Sequence, residues 1–72
     1  MNTLTNKALE FSLYALIMQV DDYNKRIAEV QAKINSPEYN DIKKYYFAKD
    51  VQKMQETLAG LELAKAEIKA IL

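Results

Sequence analysis

Seventy-two residues carry ten basic and ten acidic side chains, one Gly, one Pro, no Cys and no His. That length allows a single small domain, and the missing residue types rule out disulfides, thiolate zinc sites and a histidine base. Zero formal charge offers little attraction to nucleic acid or anionic lipid, and little to keep apolar surfaces apart.

One Gly and one Pro are too few turn residues for a sheet protein, and Ala, Leu, Lys, Glu and Gln are abundant. All of these propagate helix, so an all-α chain is expected. The nearly apolar run from Phe11 to Val20 is too short to span a bilayer. The start of the chain has neither the basic leader nor the cleavage site of a signal peptide, so a cytoplasmic location is expected.

Helix 1 is predicted over about residues 6–35. Leu9, Leu13, Leu16, Val20, Tyr23, Ile27, Val30 and Ile34 alternate steps of four and three, an unbroken heptad seam. Thr3, Thr5 and Asn6 are equivalent N-cap candidates. Asp21–Lys25, Asp22–Arg26 and Glu29–Lys33 place acid before base one turn apart, the favoured order. A turn is predicted at Asn35-Ser36-Pro37. Ser36 would cap helix 2, Pro37 would fill its first position, and Glu38 would complement its dipole.

Helix 2 is predicted over about residues 37–71. Phe47, Val51, Met54, Leu58, Leu61, Ile68 and Leu72 continue a seam interrupted only by Lys65. Gly60, inside this helix, reads either as a tolerated cost or as room for another helix. The two seams match as an antiparallel pair. Leu13 meets Leu61, Leu16 meets Leu58, Val20 meets Met54, Tyr23 meets Val51 and Ile27 meets Phe47, all about one centre at Ser36–Pro37. The expected fold is an antiparallel, coiled-coil-like helical hairpin, with room for a short N-terminal helical segment.

A hairpin needs one apolar stripe per helix. The half carrying the chain ends has more. Phe11, Tyr14, Ile17 and Met18 lie off the first seam, and Ala59, Leu63, Ala66 and Ala70 form a second stripe on helix 2. These eight residues are the expected protein interface, because surplus apolar surface usually marks one. The competing reading covers them internally, by an N-terminal segment or a bend in helix 1.

The other cluster interleaves Tyr39, Ile42, Lys43, Lys44, Tyr45, Tyr46, Phe47 and Lys49. Aromatic and basic residues together can stack on a nucleotide or single strand. Yet Glu38, Asp41 and Asp50 dilute the charge, and Tyr39, Ile42 and Tyr46 at steps of three and four more simply finish the core near the turn. Asp21-Asp22, the one adjacent carboxylate pair, has basic partners one turn on. There is no EF-hand spacing and no phosphate loop. Neither an enzyme, a metal site nor a cofactor is expected.

Ser36-Pro37-Glu38-Tyr39 at the turn, Tyr45-Tyr46-Phe47, and Leu58-Ala59-Gly60-Leu61 in an Ala/Leu-rich second helix span roughly Val20 to Ile68. With this length and turn position, the chain resembles the small co-chaperones of type III secretion needle subunits, the YscE-like type. The resemblance implies a helical hairpin that binds a helical-repeat chaperone. Such a pair holds the needle subunit unpolymerised in the cytoplasm. Two other readings stand beside it: self-association into a four-helix bundle acting as a small regulator or adaptor, and a ligand or nucleic-acid binder using the Tyr39–Lys49 cluster.

Overall fold

The computed structural model describes residues 3–72. Two helices, α1 (Thr3–Ile34) and α2 (Asp41–Ile71), pack on one another as a hairpin. Thr5 and Asn6 therefore lie within α1 rather than capping it, and the residues preceding Thr3 fall outside the described ones.

The inward face of α1 is the expected one. Leu9, Leu13, Leu16, Val20, Tyr23, Ile27, Val30 and Ile34 are all buried or half-buried, and Asn6 continues the row. On α2 the inward row is Lys44, Phe47, Val51, Met54, Leu58, Leu61, Lys65 and Ile68. Leu72 drops out, because it follows the last helical residue and only its backbone is held, its N–H donating to the Ile68 carbonyl at 3.1 Å. Lys65 keeps its place on the seam with its stem half-buried, and its ammonium swings out to Glu62 at 3.2 Å, as long cationic side chains do at apolar surfaces.

The connector is longer than expected. Helix 2 starts at Asp41, not at Pro37, and its cap is Asn40, whose side chain accepts from the Lys43 N–H at 2.9 Å. Ser36 makes only a local turn, its Oγ accepting from the Glu38 N–H at 3.3 Å. The reason is Tyr39. Its ring packs edge-on against Phe47 with centroids 5.1 Å apart, whereas eight helical residues would separate the two by about 12 Å along the axis. Closing that contact holds residues 36–39 out of the helix.

The expected core near the turn does not form. Ile42 and Tyr46 are 69% and 60% exposed, because at about 100° per residue both lie more than 90° round the helix from the inward pair Phe47 and Val51. Tyr39 alone of that trio is half-buried. Lys33 does not pair with Glu29; its ammonium sits 5.7 Å from the Phe47 ring centroid, bridging the helices above the loop. Asp21–Lys25 and Asp22–Arg26 form as expected, at 3.1 and 3.0 Å.

Gly60 faces open space, with no atom within 4 Å of where a Cβ would stand. Close approach of α1 is therefore not its purpose. Gly60→Ala should raise stability by about 0.5–1 kcal/mol, measured by thermal melting of dilute protein.

The hairpin is slender, 56 × 14 × 12 Å, and its radius of gyration is 16.6 Å, against about 11 Å for a compact chain of this length. Among the described residues only Val20, Ile27 and Val51 are buried. The accessible surface, 5508 Å², exceeds by roughly 900 Å² the ~4,600 Å² typical of a folded monomer of this mass.

Candidate protein interface

All eight residues expected at the interface lie on the surface. Phe11 is 76% and Leu63 62% exposed; Tyr14, Ile17, Met18, Ala59, Ala66 and Ala70 are exposed as well. The N-terminal part of α1 is continuous helix from Thr3. No bend or extra segment among the described residues covers these side chains, so the internal reading fails.

Their arrangement departs from a single termini-side face. At about 100° per residue, Phe11 and Met18 point directly away from the inward row Leu13, Leu16 and Val20. Tyr14 lies beside them, and Ile17 sits on the flank next to the seam. By the same count Leu63 stands about 180° from the row Leu58, Leu61, Lys65 and Ile68, flanked by Ala59, Ala66 and Ala70. Both surfaces occupy the end that carries the termini, but they look outward in opposite directions. One docking helix cannot touch both.

The two surfaces also differ in shape. The α1 surface is built of large side chains and extends to Leu4, which is exposed. Leu4 was missed in the sequence, although Leu4, Phe11 and Met18 repeat every seven residues. Beside it lies a shallow depression of about 350 Å³ lined by Lys7, Glu10, Phe11 and Tyr14. The α2 surface is flatter, with Leu63 standing among Ala59, Ala66 and Ala70 and the exposed Glu56 and Glu67 alongside it.

The loop-side cluster is an exposed shell rather than a cleft. Tyr45 and Tyr46 stack edge-on at 5.5 Å. Lys49 lies 4.8 Å from the Tyr45 ring and Lys43 6.0 Å from the Tyr39 ring. These ammonium groups rest on the chain's own aromatics. Among the described residues no three His, Cys, Asp or Glu side chains come together as a metal site, and no helix is long and apolar enough to cross a membrane. Comparisons with family models, curated proteins and solved structures give no match.

Proposed function

We propose that this hairpin is a non-enzymatic protein-binding module whose terminal half is completed by another protein. The observation that carries this reading is the exposure of Phe11, Tyr14, Met18 and Leu63 at one end of a chain that buries only three side chains among those described. Exposed apolar surface on this scale is characteristic of interaction sites, and a chain this short commonly depends on association for stability. In its finer form the module is a cytoplasmic co-chaperone. It would pair with a helical-repeat chaperone and keep a type III secretion needle subunit from polymerising, as the turn and second-helix resemblance implies. The flat Ala59, Leu63, Ala66 and Ala70 surface suits close packing by a partner helix, with Gly60 beside it adding no side chain.

Leu63→Asp places a charge in the middle of that contact without touching the seam. Co-purification of the full-length chain with a helical-repeat chaperone and a needle subunit should fall by at least tenfold, a loss typical of an interface anchor, while helical circular dichroism stays unchanged. Retention of both partners by Leu63→Asp would sink the heteromeric reading.

A further inference from the structure

We propose that the outer surface of α1 binds a second copy of this chain in an antiparallel, two-fold symmetric contact centred between Ser12 and Leu13. Leu4, Lys7, Phe11, Tyr14, Met18 and Asp21 repeat at alternating steps of three and four, a second heptad seam on the side of α1 facing away from α2. The depression on this surface is lined by Lys7, Glu10, Phe11 and Tyr14. Those residues are related as i, i+3, i+4 and i+7, the four positions that form the hole for a coiled-coil knob. Under the two-fold, Tyr14 of each copy enters that hole in the other and lies against Phe11. Met18 then covers the stem of the opposing Lys7.

Charge identifies the occupant. Among the described residues Lys7 makes no ion pair. At the other end of the seam, Asp21 and Asp22 keep side chains 66% and 56% exposed despite their intrahelical partners. An antiparallel second copy brings each Lys7 against Asp21 and Asp22 of its mate, twice over, with the aromatics between. A parallel mate would instead set like charges together. The roughly 900 Å² of surplus surface on the whole chain is comparable to the ~800 Å² that each partner contributes to a standard interface. Because the contact uses α1 alone, the Ala59–Ala70 surface stays open on the far side of each hairpin, so this assembly and the heteromeric contact fail independently.

Light scattering and small-angle X-ray scattering on the full-length chain test the assembly. The expected particle is a dimer roughly 75 Å long rather than 56 Å, because an axis between Ser12 and Leu13 overlaps about the terminal two-thirds of each hairpin and leaves both loops protruding. Tyr14→Lys and Lys7→Glu should each raise the dimer dissociation constant by about tenfold or more, with helicity retained. Combining Lys7→Glu with Asp21→Lys and Asp22→Lys should recover most of the affinity. A chain that stays monomeric at submillimolar concentration would overturn the proposal. So would a dimer no longer than a single hairpin, or a charge exchange that fails to restore what Lys7→Glu removes.

Discussion

Ile27→Ala should destabilise the hairpin by about 2–3 kcal/mol, lowering the melting midpoint by roughly 10–20 °C for a domain of this size. Ile27 is one of three buried side chains among the described residues, 8% exposed. Removing it deletes three heavy atoms from the point where the helices are best covered. Phe11→Ala removes more atoms but from a side chain left in solvent, so in dilute protein it should change stability by less than about 0.5 kcal/mol. The pair of variants separates location from size. Equal destabilisation by the two, with the protein kept too dilute to associate, would mean that Phe11 is covered within the single chain.

The second prediction concerns where α2 starts. Asn40→Ala should cost about 1 kcal/mol, the usual worth of an N-cap side chain. Its Oδ1 accepts from the Lys43 N–H, and a methyl group leaves that first-turn donor to water alone. Ser36→Ala should cost only a few tenths of a kcal/mol, since exposed turn positions tolerate such changes and the Ser36 bond to Glu38 is a weak 3.3 Å contact. Thermal melts of both variants decide between the two starts. A larger loss for Ser36→Ala would move the cap back to the Ser36-Pro37 step.

These two residues mark where the sequence was legible and where it was not. Ile27 and its row could be read because a period sustained over eight positions overrides local detail. Asn40 was overlooked because Ser36-Pro37-Glu38 is the stronger local signal. What displaces it is Tyr39 reaching Phe47, a contact across the connector with no local signature. Ile42 and Tyr46 suggested core only through their spacing from Tyr39, which stands before the helix start; the seam through Phe47 and Val51 turns both outward. For the candidate interface, the eight exposed residues could be picked out because each breaks the seam pattern. That they divide into two opposed surfaces required the inward rows of both helices to be known together. The hole beside Phe11 escaped notice for a different reason: it is made from the stem of Lys7 and from Glu10, residues that read in isolation as solvated charges.

The position of the buried residues along the rod has a consequence for how the chain opens and closes. Val20, Ile27 and Val51 lie in its middle and loop-side portion, while Leu9, Leu13, Leu16, Leu58, Leu61 and Ile68 toward the chain ends are only half-covered. Pairing that begins beside a short connector closes the smallest loop first, so the hairpin should zip from the turn outward and fray from the ends inward. Amide exchange should follow that gradient, slowest around Ile27 and Val51 and fastest beyond Leu13 and Leu61. The segment proposed to meet other proteins is then also the last to become ordered, and binding there would finish the folding that the chain begins alone.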